Sequence, residues 1–307
     1  MRQPSSVRSE RGQVLVIFAL ALVAIVAMTG LVLDGGSTFV QRRDQQNVAD
    51  SAAMAAGYAY SMGGNPPAVT AAARSTAASN GYVHGTGGVT VDVSMDTPGG
   101  PGRHLTVTVS KPHNNNFAGI VGMPSWGVTT TAMTLAGRPN GVLGAMPIIF
   151  NQKAFDNNGA GSAHEVVYGE PLPGSNDIPL DSTSFNWTMW CNQCNADSNT
   201  VDDLINQGGV NTTVSLTDKI SPLNAGSHTT LYSDLSKWIG GDFPVPIVDD
   251  NGDMVGWAMF HVTGAVGGST KQIRGYFMSP INPANMTITD SAPAGGDFGA
   301  YIVKLVN

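Results

Sequence analysis

The sequence predicts an α+β protein held to a membrane. An N-terminal transmembrane helix continues into an Ala-rich helix, which packs on a small antiparallel sheet, and a mainly β region follows. Three observations predict this. Val14 to Leu33 is a run of twenty residues without a charge. Ser37 to Met62 contains no Pro and carries Ala at 49, 52, 53, 55, 56 and 59. Residues 89–95 and 105–110 alternate apolar with polar, which is the period of a half-buried strand.

Length and charge set the outer limits. A chain of 307 residues with 42% hydrophobic content can hold two modest domains with a real core. Charged residues make up only 12%. Up to residue 45 five Arg face Glu10, Asp34 and Asp44, whereas from Arg138 onward seven Lys and Arg face sixteen Asp and Glu. The acidic bulk excludes nucleic acid as a partner, because phosphate binding needs clustered Lys and Arg.

The apolar run is the strongest signal. At a rise of about 1.5 Å per residue, twenty residues span roughly 30 Å of hydrocarbon. A cleaved secretory signal usually has an apolar core of about 7–15 residues, so the run reads as an uncleaved anchor over residues 13–34. A buried core helix would show a polar face. Arg2, Arg8 and Arg11 precede the span and Arg42 and Arg43 follow it at a distance, which places a cytoplasmic tail at 1–12 and the remainder outside the cytoplasm. The expected location is therefore the cell membrane, with a single pass.

After Asp34-Gly35-Gly36 the helical pattern resumes almost at once at Ser37. Ala49, Ala53 and Gly57 recur every four residues, as do Ala52, Ala56 and Tyr60. Such a face is smooth enough for another backbone to approach closely. It can pack on the protein's own sheet, or it can serve helix–helix assembly together with Gly30 and Asp34.

Gly12-Gln13, the apolar span, Gly30 with Asp34, the stretch Gln46 to Asp50 and the Ala run after it resemble the N-terminal segment of the TadE/TadG-like (Tad, or Flp pilus-assembly) family. The resemblance implies a single-pass envelope protein, similar to a minor pilin or pseudopilin, with other pilus-assembly or envelope proteins as partners. It also implies interaction roles for Gly30, Asp34, Ala49, Ala53 and Gly57. One departure matters. Pilin-like proteins that are cleaved carry a Glu five residues after the cleavage Gly, and counting from Gly12 that position holds Ile17, which argues for a static, uncleaved anchor.

Asn65-Pro66-Pro67 ends the long helix and opens a second over 68–79, closed by Asn80-Gly81. Strands are expected at 89–95 and 105–110, joined as a hairpin across a Pro- and Gly-rich turn. A helical turn follows over 117–122, and a third, Thr-rich strand over 126–135. The order of hairpin, Phe117-Ala118-x-Ile120-x-Gly122 turn and Thr-rich strand again resembles the family. It implies a pilin-like α/β module over 35–137.

Arg138-Pro139-Asn140-Gly141 marks a boundary, and 138–307 reads as a mainly β extracytoplasmic domain. Strands are expected at 245–248, 255–262, 273–278 and 301–306, and short helices at 187–190 and 231–239. Asp249 to Asp253 has the acids of a calcium loop but lacks its Gly and Glu, which leaves an Asn-Gly hairpin turn as the better account. Cys191-x-x-Cys194 suits a local disulfide outside the cytoplasm, with a metal half-site or free thiols as alternatives. Asp181 to Phe185 falls short of a metal-ion adhesion motif because Phe185 cannot bind a cation. His164-Glu165 beside Glu170 is the one local acid/base cluster, and it reads as a solvated loop. The sequence thus assigns no catalytic, cofactor or metal residues. The leading reading is a non-enzymatic structural component. The alternative is a membrane-tethered ligand-binding or hydrolytic ectodomain unrelated to pilus assembly.

Overall fold

The computed structural model describes residues 10–96, 101–157, 164–171, 178–190, 197–222, 228–279, 281–289 and 292–306. One helix, α1 (Glu10–Ser61), runs unbroken for 52 residues. The interruption expected at Asp34-Gly35-Gly36 does not occur. Gly35 and Gly36 stay helical on an open side, with nothing within 4 Å of a Cβ position. Their propensity cost of about 1 kcal/mol each is outweighed by cooperative helix on both sides. A second helix, α2 (Pro66–Ser79), starts as its sequence dictates, with the Asn65 side chain accepting from Ala68 N–H and Pro in the first turn. Gly81, at φ +83°, turns the chain away at its end.

Strands β1 (Thr90–Met95), β2 (Gly102–Asn114) and β3 (Ser125–Gly137) form an antiparallel meander. Its register places Val91 opposite Val109 and Val93 opposite Val107. These valines face α1 and α2, whose Ala49, Ala52, Ala53, Ala56, Ala73 and Ala77 are fully buried in the same core. Small helical residues against β-branched strand residues let helix and sheet approach closely.

Beyond residue 138 come β4 (Gly141–Leu143), β5 (Ile148–Asn151), α3 (Gln152–Asn157), β6 (Val166–Gly169), β7 (Phe185–Met189), α4 (Ser198–Asn206), β8 (Thr213–Ser215), β9 (Ser221–Pro222), α5 (Thr229–Leu235), β10 (Asp242–Val248), β11 (Met254–Val266), β12 (Gln272–Met278), β13 (Met286–Thr287) and β14 (Ile302–Val306). Seven strands make a mixed sheet in the order β6-β12-β11-β10-β5-β7-β9, and β13-β4-β8 form a small second sheet. The fold is α+β, with a long apolar N-terminal helix and a largely β remainder. The aromatic core of the seven-stranded sheet holds Phe150, Tyr168, Phe185, Trp187, Tyr232, Phe260 and Phe277. Edge-to-face pairs such as Phe150–Tyr168 at 5.0 Å and Trp187–Tyr232 at 5.3 Å build it.

Two further differences from expectation appear here. Trp187 to Trp190 was expected to be helical, yet Trp187 lies in β7, whose five residues are all buried. A short apolar run has no period to separate strand from helix, and here the open edge of β5 decides the matter. The last strand, β14, does not stay with the seven-stranded sheet. It pairs antiparallel with β3, from Ile302 opposite Gly137 to Val306 opposite Met133, and so completes a sheet of order β1-β2-β3-β14.

Candidate functional site

The buried face of α1 forms one stripe, Gly30, Asp34, Gln45, Val48, Ala49, Ala52, Ala53, Ala56 and Gly57, with Ser37, Thr38 and Gln41 half-buried between. The spacing of three and four keeps all of them on one side of the helix. The chemistry changes along the stripe. From Val48 to Gly57 it is apolar, and between Asp34 and Gln45 it is polar.

At the end nearer the apolar run, Gly30 receives Phe117. A Cβ on Gly30 would stand 2.6 Å from Phe117 Cβ and 2.8 Å from Cγ, so only Gly allows this contact. One turn along, the Asp34 side chain is fully buried. Its carboxylate accepts three backbone N–H groups, from Asn116 at 2.9 Å, Phe117 at 3.0 Å and Ala118 at 2.7 Å. These are the free donors at the start of the 3₁₀ turn Ala118–Val121, where a carboxylate is electrostatically favoured.

The next residues along the stripe grip the sheet. Trp126 Nε1 donates to Thr38 Oγ1 at 2.8 Å. His113, which is buried and stacked on Trp126, has Nε2 3.0 Å from Ser37 Oγ and Nδ1 2.7 Å from Gln41 Oε1. Gln41 Nε2 donates to Lys111 O. Gln45 Nε2 bridges two strands by donating to Val109 O at 2.7 Å and Val128 O at 2.8 Å. The arrangement fixes the orientation of the apolar span relative to the folded body.

Of the residues singled out from sequence, Gly30 and Asp34 meet at this junction. Ala49, Ala53 and Gly57 lie further along, inside the chain's own core: both alanines are fully buried, and a Cβ on Gly57 would come within 2.7 Å of Thr134 and Val303. The face they form is thus covered by the chain's own sheet. Cys191 and Cys194 lie outside the described residues. The polar row Ser37, Thr38, Gln41 and Gln45 was missed from sequence, although polar residues spaced three and four apart in an otherwise Ala-rich helix carry the signal.

The acid/base residues are not gathered as their sequence proximity suggests. His164 and Glu165 are exposed, and Glu165 accepts from Thr263. Glu170 turns inward instead. Its Oε1 accepts from Trp187 Nε1 at 2.6 Å and lies 3.2 Å from His228 Nδ1, while Oε2 is 3.3 Å from Lys271 Nζ. Burial pushes the Glu170 carboxyl up, but His228 and Lys271 outweigh it and hold it below its usual value. The Asp249 to Asp253 loop is a hairpin turn between β10 and β11. Asp249 Oδ1 accepts from Asn251 and Asp253 N–H, and Gly252 is at φ +84°. Among the described residues no three His, Cys, Asp or Glu converge as a metal site would require.

Residues 12–77, about a fifth of the chain, match the family model described as Flp pilus-assembly TadE/G-like. The match covers nearly all of α1 and of α2, including Gly30, Asp34 and the polar row. No curated protein and no solved structure matches the chain. The helical pair that carries the junction, residues 12–77, is therefore the part of the chain that is similar to the TadE/TadG-like pilus-assembly family.

Proposed function

We propose that the protein is a membrane-anchored, pilin-like structural component of a Tad/Flp-type pilus assembly system, acting through protein–protein contacts. One observation carries the reading. The apolar span and the family-matched helix are a single rod, and Asp34, Thr38, Gln41 and Gln45 lock that rod to the sheet and to the turn between β2 and β3. Force or orientation at the membrane passes directly into the folded body, as a structural subunit requires and a simple tether does not. In this reading 1–12 is a cytoplasmic tail, 13–34 the anchor, 35–137 the pilin-like module, and 138–307 an extracytoplasmic domain that presents partner contacts. Cys191 and Cys194 form a local disulfide, so alkylation without prior reduction leaves both unmodified.

Fractionation of cells carrying a C-terminally tagged chain tests the proposal. Recovery in detergent-extracted membranes, with loss of pilus assembly on deletion, is the expected result. Recovery in sheared filaments would make the chain a filament subunit despite Ile17. Soluble protein in the medium would overturn the anchor.

A further inference from the structure

We propose that the turn Phe117–Pro124 is a second membrane contact, immersed beside the anchor in the leaflet nearer the folded body, with Ile120 and Met123 among acyl chains. The proposal rests on the reading of α1 as the anchor.

Depth comes first. Phe117 is seated on Gly30, three residues before the apolar run ends at Leu33, or roughly 5 Å below its edge at about 1.5 Å per residue. The groove between turn and helix continues deeper. Its walls are Leu31, Val26 and Leu22 on one side and Phe117, Ile120 and Met123 on the other, and Leu22 lies about 16 Å below the same edge. The turn therefore lies alongside hydrocarbon-spanning helix. Its composition suits that position: the eight residues from Phe117 to Pro124 include no polar side chain. Ile120 is 81% exposed and Met123 54% exposed, and they form one surface with the lipid-facing side of α1.

Backbone polarity is the usual obstacle to a non-helical segment at such depth. Here it is met. Asp34 accepts the N–H groups of Asn116, Phe117 and Ala118. Ile120 N–H reaches Phe117 O, Gly122 N–H reaches Gly119 O and Met123 N–H reaches Ala118 O, while Pro124 has no N–H to place. The Asn115 amide covers Met123 O. On the water side the turn is bordered by Asn114, Asn115, Asn116 and Trp126, and an indole is favoured at the membrane interface.

A second copy's helix is a poorer occupant. Between Val14 and Leu33 no two of Gly, Ala, Ser and Thr stand four residues apart, so the span lacks the four-residue spacing of small residues on which membrane helices commonly pack; Ala21, Ala24, Ala27 and Gly30 recur every three residues, but Ala27 and Gly30 already lie against the turn. Gly30, the one glycine of the run, is already covered by Phe117.

The test uses the full chain in nanodiscs of phosphatidylcholine and phosphatidylglycerol. The photo-reactive residue p-benzoylphenylalanine replaces Ile120 in one preparation and Leu22 in another, and intact masses are measured after irradiation. A lipid adduct at both positions is expected. A lipid adduct at 22 with none at 120, whether 120 stays unmodified or links to a second chain, overturns the immersed turn and leaves the anchor standing. Absence of lipid at 22 overturns the anchor, and the immersed turn with it.

Discussion

At Gly30 the helix has room for a hydrogen and nothing more. Alanine is the better helix former by about 1 kcal/mol, so Gly30→Ala would stabilise an isolated helix. In this protein the new Cβ meets Phe117 at 2.6 Å, and the expected net effect is a loss of about 1–3 kcal/mol, read as a lower thermal midpoint in detergent. The loss should shrink in a Phe117→Gly background. Equal losses in both backgrounds would show that Gly30 acts through something other than this contact. Glu170 gives a second expectation at this scale. Its carboxyl is held below its usual value of 4.5, so the charged form is favoured in the folded state. The stability it contributes is fully present above about pH 5 and is lost as the pH falls through the lowered value. Glu170→Gln should therefore flatten the acid limb of a plot of thermal midpoint against pH. An unchanged acid limb would mean that other carboxylates govern it.

At the scale of elements, α1 is the informative piece, since its exposed apolar half and its packed half obey different rules on one continuous backbone. The apolar run, the Pro-free Ala stretch and the Asn65-Pro66-Pro67 break were legible in the sequence because each is a local signal. The hairpin was legible for the same reason, through alternation at 89–95 and 105–110. The continuation of the apolar helix into the Ala-rich one was legible too, but not that Gly35 and Gly36 stay helical between them, because two glycines after an Asp read as a brief stop unless the Asp is known to be engaged elsewhere. Asp34 is engaged by residues 116–118, more than eighty positions away, and no local pattern reports that. The destination of the Ala face was equally hidden, since smoothness alone suits a sheet or a second helix. Because Ala53 is fully buried in the chain's own core, Ala53→Leu should overpack that core and destabilise the protein by about 1–3 kcal/mol. The check is to compare partner recovery after normalising for folded protein. A specific loss of partner from protein that melts normally would restore Ala53 as a partner contact.

For the whole molecule, the decisive feature is the return of the chain end. Strand β14 comes from the far side of a region of some 160 residues, yet it lies against β3, with Ile302 and Val303 buried. Val303 approaches α1 where Gly57 lacks a side chain, and its backbone is held by the Asn282 amide. One strand thus ties the long helix, the small sheet and the C-terminal region together. Ending the chain after Tyr301 removes that tie and bares the β3 edge from Met133 to Gly137, with its unpaired N–H and C=O groups. The aromatic core around Phe150, Tyr168 and Phe277 has no member in β14, so it should survive the truncation. Hydrogen exchange on the full and the truncated chain, both in the same detergent, separates the alternatives. Faster exchange at 130–137 and in the neighbouring turns of α1, with protection retained in β10 to β12, is the expected pattern and would identify β14 as the coupling element. Unchanged exchange at 130–137 would mean that the small sheet stands on β1 to β3 and α1 alone, and that the C-terminal region hangs from it as an independent body.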